Sequence, residues 1–247
     1  HLANIDDLRM RSRVVLEALL ERPPAEALVW LDQFIRGSVW GRQADLDVTL
    51  GFVFWLAQNP RGGDHYEFFE RIYRLAHDHD RRDVLDLLRN PPAQRELAEE
   101  ADLPDVRLPL DRDEITVGER RTIARRADPE TIERLIMDPE PLVVENLLDN
   151  PDLTESDVLK IGSRRPTKGE ILERVAAHPR WFARTEVRKA LVMNPFNDTG
   201  LSLKLLPTIG IAALRRVRFG SDLHESLSDF AARLVEMRES RTSPWNV

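Results

Sequence analysis

Apolar residues recur along this chain in short runs with helical spacing, and four of the runs close on the same kind of stop. The runs are Leu135-Ile136-Met137-Asp138-Pro139, Leu147-Leu148-Asp149-Asn150-Pro151, Val175-Ala176-Ala177-His178-Pro179 and Leu191-Val192-Met193-Asn194-Pro195. Proline lacks an amide hydrogen and pushes the residue before it out of the α region, so each phrase predicts a helix followed by a forced end. The first two stops lie 12 residues apart and the last two 16. Short helices of similar length, repeated in this way, predict an α-solenoid of antiparallel helix pairs, each burying its apolar face against its neighbours.

The first hundred residues carry helical patterns without the repeated phrase. Residues 5–21 place Leu8, Val15, Leu16, Leu19 and Leu20 close to a 3.6 period, and residues 25–35 place Leu28, Leu31, Phe34 and Ile35 on one side. Gly37 and Gly41 are expected to loosen the connection that follows. Residues 47–58 are apolar nearly all round, which predicts a central helix or an association surface. Phe52, Phe54 and Trp55 diverge around such a helix, so a homodimer contact through them is one expectation. Further helices are expected over 66–76 and 83–88, the latter stopped by Asn90-Pro91-Pro92.

Residues 101–115 hold two prolines and many acids with no sustained period, and read as a linker or strap. Beyond them stand three candidate capping boxes, Thr116-x-x-Glu119, Thr154-x-x-Asp157 and Thr167-x-x-Glu170, each placing a threonine oxygen and a carboxylate around one helix start. Helices are expected over 116–126, 130–136, 141–148, 155–162, 168–177, 182–192, 199–206, 208–217 and 222–238. Hairpin-bounded alternating runs are absent, so almost no sheet is expected. The fold class is therefore all-α. Residues 1–100 form an irregular helical part, 101–115 a linker, 116–238 the solenoid and 239–247 a tail.

Composition narrows the chemistry. The chain has no cysteine, which excludes disulfides, thiolate catalysis and cysteine-held zinc or iron–sulfur sites, and fits a reducing cytoplasm. No run reaches the roughly 20 apolar residues that span a bilayer, so no membrane is expected as a partner. Nothing at the start resembles a signal peptide, while His1 in place of Met reads as a trimmed start or tag remnant that leaves a leader possible. The net charge of −7 speaks against wholesale binding to a phosphate backbone. Arginine far outnumbers lysine; a GC-rich, bacterial genome is the plain reason.

The segment from Asp138 to Thr154 resembles the leucine-rich repeat variant family of short helical repeats, related in style to HEAT and armadillo solenoids. Pro139, Val143, Leu147, Asn150, Pro151, Thr154 and Val158 match its pattern, and His178, Pro179, Val187, Leu191, Asn194 and Pro195 match a second unit more loosely. The resemblance covers residues 116–219 and implies a curved, HEAT-like stack of helices. Some members carry an iron–sulfur cluster in a cysteine-rich segment; without cysteine, no cofactor carries over.

Two groups of residues invite a functional reading. His77-Asp78-His79-Asp80 offers metal-ligand chemistry, but four consecutive residues at a helix end rarely converge on one ion, so a polar terminus is favoured and no metal is assigned. Arg180, Arg184 and Arg188 stand four apart and are expected to share a helical face. With Arg164, Arg165, Arg215 and Arg216 from neighbouring repeats, and Trp181 beside them, they form a candidate basic strip for a partner. The competing reading is a solvated face paired with Glu170, Glu173 and Glu186, with Trp181 capping the repeat core. No phosphate loop, nucleophile elbow or other catalytic arrangement is present. The expected function is a non-catalytic, cytoplasmic protein-binding scaffold or adaptor. The alternative is a nucleic-acid binder of the HEAT-like DNA glycosylase kind, which the arginines support and the acidic charge opposes; a metal-dependent enzyme using His77 and His79 ranks third.

Overall fold

A computed structural model describes residues 5–91 and 115–240, apart from the side chains of Pro60 and Arg61. Among these residues the regular structure is all helical: fifteen α-helices and two 3-10 turns, with no strand. All of the expected linker at 101–115 but Ile115, and all of the expected tail at 239–247 from residue 241 on, lie outside the described residues. No described helix is long and apolar enough to cross a membrane.

The chain divides into two units, one from residues 1–92 and 199–247, the other from 93–198. The first unit is built on α1 (Leu8–Leu20), α2 (Pro24–Val39), α3 (Gln43–Gln58), α4 (Tyr66–Asp78) and α5 (Arg82–Leu88), with a 3-10 turn at Pro60–His65. Asp7 starts α1 by accepting the Met10 amide at 2.7 Å. α2 runs through Gly37 and ends at Gly41, whose φ of +82° lets the Gly41 and Arg42 amides fold back to the Ser38 and Gly37 carbonyls. Gly37 is thus not a loosening residue. A Cβ there would stand 1.8 Å from Asp45 Oδ2, so glycine permits α2 and α3 to approach closely.

The apolar circumference of α3 is explained by its neighbours. α1, α2 and the returning α13 (Thr199–Leu205) pack on it, and Val48, Leu50, Phe52, Val53, Phe54 and Leu56 are buried. Phe52 and Phe54 are 2% and 0% exposed, so they do not form the surface patch that a homodimer contact through Phe52, Phe54 and Trp55 required. Trp55 and Phe69 of α4 complete an aromatic cluster with Phe52, at centroid distances of 5.2 to 6.4 Å.

The boundary of the expected solenoid also moves. Residues 199–238 belong to the first unit. Every residue of α13 is buried, polar positions included, and such a helix needs neighbours on all sides; it finds them in α3, α5 and α15 (Glu225–Glu239). α14 (Ile211–Arg218) packs on α15.

The second unit contains α6 (Val117–Ala124), α7 (Pro129–Leu135), α8 (Pro141–Leu148), α9 (Glu155–Ser163), α10 (Gly169–Ala177), the single turn α11 (Pro179–Phe182) and α12 (Thr185–Val192). Alternate helices pack together: α6 on α8, α8 on α10, and α9 on α12. The capping boxes at Thr116–Glu119 and Thr154–Asp157 are both formed. At the third candidate, α10 takes Lys168 as its cap, and Thr167 turns inward at 1% exposure.

The proline stops carry more than a stop. Pro179 opens α11 and Pro139 lies two residues before α8, whereas Pro151 and Pro195 follow their helices by three residues. The residue before the proline is the latch. Asn150 is fully buried; its side-chain amide donates to the carbonyls of Ala124 (2.9 Å) and Ala127 (3.0 Å), and its oxygen accepts the Asp152 amide. Asn194 repeats this on the carbonyls of Gly162 and Arg164, with its oxygen on the Phe196 amide. Asp138 keeps the local bond, to the Glu140 amide, but faces the Arg120 guanidinium at 2.8 Å. Where the neighbour presents carbonyls the chain uses asparagine, and where it presents a cation it uses aspartate. Each latch satisfies groups that a helix end or turn leaves bare.

Candidate functional site

Within the second unit the residues of the candidate strip do not share one helical face. Arg180 lies in α11, and Arg184 is the extended residue that precedes α12 (φ −82°, ψ 122°), so the spacing of four does not fall on one helix. Arg188 is 1% exposed; it donates to the Phe182 carbonyl at 2.7 Å and to Thr185 Oγ1 at 3.1 Å. Burial pushes its pKa down to about 10. Trp181 is equally buried, with its indole N–H on the Leu148 carbonyl at 2.9 Å. The two-helix-turn face expected of these residues is broken by the bend at Ala183 and Arg184.

Arg164, Arg165 and Arg180 are engaged with the backbone of neighbouring turns. Arg180 reaches the carbonyls of Asn150 (3.3 Å) and Leu153 (3.1 Å) and lies 4.2 Å over the Trp181 ring. Arg164 donates to the Met137 carbonyl at 2.7 Å, and Arg165 to that of Met193. These carbonyls follow the last turns of helices or belong to the turns between them, where cations are favoured. Arg164 caps the end of α9, while Arg184 sits 3.9 Å from Glu155 at its start. A nine-residue helix is about 13 Å long, so the two groups occupy opposite ends of α9. Arg215 and Arg216 belong to the first unit; Arg215 pairs with Glu239 at 2.7 Å, and Arg216 is exposed.

The His77–Asp80 group is exposed throughout, at the end of α4. Asp80 takes a left-handed conformation (φ +50°) and is held by Arg82 at 2.8 Å. The side chains follow a turn and do not converge.

A concave site does exist in the first unit, at a place the sequence did not announce. A cavity of about 160 Å³ lies along α4, with Leu56, Phe69 and Leu88 as its apolar lining. Tyr66 and Tyr73, the only two tyrosines of the chain, stand seven residues apart on α4 and form its rim, 53% and 40% exposed. Glu70, between them on the same face, accepts from Arg74 at 2.7 Å. Lys204 of α13 lies beneath at 2% exposure, its ammonium held by Asn90 Oδ1 (2.6 Å) and the carbonyls of Gly200 (3.1 Å) and Arg89 (3.4 Å). Only faint features of the sequence mark it, two tyrosines seven residues apart and a single lysine inside the largely apolar run from Leu201 to Ile209. Comparison with protein-family models, with curated proteins and with solved structures finds no match to this chain.

Proposed function

We propose that the protein is a non-catalytic binding scaffold whose second unit is a HEAT-like stack of three helix pairs, α6 with α7, α8 with α9, and α10 with α12. The alternate-helix packing of α6, α8 and α10, with α9 on α12, carries this reading, since neighbour-only stacking is the mark of a solenoid. It agrees with the resemblance to leucine-rich repeat variants at Asp138–Thr154. Another protein is the partner this architecture favours. The separated arginines remove the main support for the alternative, a nucleic-acid binder, because a groove that tracks phosphates needs contiguous cations. The cysteine-free chain suits a reducing compartment, and we place the protein in the cytoplasm.

Lysine cross-linking after affinity capture tests the reading. The chain has four lysines; Lys160, Lys168 and Lys189 belong to the second unit, and Lys204 is buried in the first. A protein retained from the native cell is expected to cross-link through Lys160, Lys168 or Lys189. Retention of nucleic acid, or of a protein that never reaches these lysines, would overturn it.

A further inference from the structure

We propose that the cavity along α4 is a binding site for a small, neutral, single-ring aromatic molecule. This is independent of the scaffold reading, because the cavity lies wholly in the first unit. Its volume of about 160 Å³ is close to that of an apolar protein cavity of ~150 Å³ known to hold benzene. The lining of Leu56, Phe69 and Leu88 supplies apolar contact, and the two rim tyrosines add ring faces where a bound ring meets solvent.

The site is formed in advance. Gly62 (φ +89°) presses its backbone on Phe69, where a Cβ would come within 2.9 Å of Cδ2. Phe69 is also packed against the rings of Trp55 and Phe52. Lys204 is fixed by its three oxygen partners. A ligand therefore need not order these walls, which removes a large part of the usual cost of binding. The charge pattern selects a neutral ligand. Glu70 is already held by Arg74 and the Lys204 ammonium by oxygens of Asn90, Gly200 and Arg89, so an ion that enters gives up its hydration in an apolar slot whose charges are engaged elsewhere. A ring hydroxyl, by contrast, can be met by the polar side chains among the lining residues, Asn90, Tyr66 and Tyr73.

The experiment is ligand-observed NMR titration of the full chain with phenol, with benzoate and with N-acetyl-phenylalaninamide. Two variants accompany the wild type: Leu88→Trp, which fills the slot from a half-buried position, and Tyr73→Ala, which removes an exposed wall. Circular dichroism confirms that each keeps its helix content. Phenol is expected to bind saturably at one site, more tightly than benzoate. Leu88→Trp is expected to weaken it by about tenfold or more, and Tyr73→Ala by a smaller factor. Absence of saturable phenol binding, or binding indifferent to both folded variants, overturns the proposal. Tighter binding of benzoate overturns the neutral class. Binding of the peptide-like amide alone overturns the free ligand and makes the slot an anchor for a partner's side chain.

Discussion

Asn150→Ala tests the latch most directly. The substitution removes three hydrogen bonds at once, two donated to Ala124 and Ala127 and one accepted from Asp152. A typical bond contributes about 1 kcal/mol net, and a buried group left bare costs about 1 to 3 kcal/mol. The asparagine is fully buried, so water does not replace it without a rearrangement. The expected loss is about 3 kcal/mol, within a range of about 2 to 5. In urea, with a slope near 2 kcal/mol per molar, the midpoint of the second unit's transition should fall by roughly 1.5 M. Asp152→Ala is the control, because only its backbone amide takes part and the side chain is exposed; it should change stability by less than about 0.5 kcal/mol. Equal midpoints for Asn150→Ala and the wild type would refute the latch.

Asn150→Asp sharpens the test through its sign. A carboxylate in place of the amide faces two carbonyl oxygens, and only its protonated form donates to one of them. The folded-state pKa is therefore raised above the unfolded value of about 3.9. Its stabilising contribution is present below that value and is lost as pH rises through the folded pKa. At neutral pH this variant should be less stable than Asn150→Ala, and the gap should close on acidification. Wild-type stability at pH 7 would show that the amide does not donate to these carbonyls.

Four further outcomes are expected. Leu147→Ala should cost about 2 to 5 kcal/mol in the same urea assay, since Leu147 is fully buried in the second unit. Arg188→Ala should cost several times more than Arg184→Ala, which should stay below about 1 kcal/mol because its 3.9 Å pair with Glu155 is solvent-exposed; equal costs would contradict the assigned burial. Gly37→Ala gains helix propensity of up to about 1 kcal/mol, yet overlap with the buried Asp45 should outweigh it and lower the melting temperature. Hydrogen bonds from the Thr116 amide and hydroxyl hold the Glu119 carboxyl below the usual glutamate range, so its contribution is present above the ordinary pKa and lost as pH falls through the depressed one. Glu119→Gln should accordingly flatten the acid limb of α6 stability, measured by amide exchange.

Helix existence was legible because its signals are local. Proline stops, threonine caps and 3.6-residue periods act within a few residues, and expected and observed helices agree closely from α8 to α10. What depended on distant partners was not legible. Gly37 reads as a breaker until Asp45 is known to lie against it. Residues 199–238 continue the helical pattern of the preceding segment, and it is the all-round burial of Thr199–Leu205 and the contacts of their helix that return them to the first unit. The arginine spacing misled for a geometric reason: a period of four implies one face only when the helix is unbroken, and it bends at residues 183–184. The cavity was missed because its walls come from four separate segments, and neither an isolated tyrosine nor a single lysine is a motif.

The latches change how mutations in this protein should be read. A residue type that normally signals recognition, such as arginine beside tryptophan or a buried asparagine, here spends its donors on carbonyls of adjacent turns. Charge reversal at Arg164, Arg180 or Arg188 removes those donors and sets a carboxylate against carbonyl oxygens. Loss of a partner after such a change would report damage to the packing of the second unit rather than a lost contact. Arg184 and Lys168 are different: both are exposed, and neither closes a neighbouring turn through a carbonyl bond among the described residues. Arg184→Glu and Lys168→Glu are therefore the substitutions that separate binding from folding. If the second unit holds an acidic partner, they should weaken capture while leaving the urea midpoint within about 0.5 kcal/mol of the wild type, and the weakening should shrink as salt rises. Unchanged capture by both would move the partner to the faces of α7 and α12.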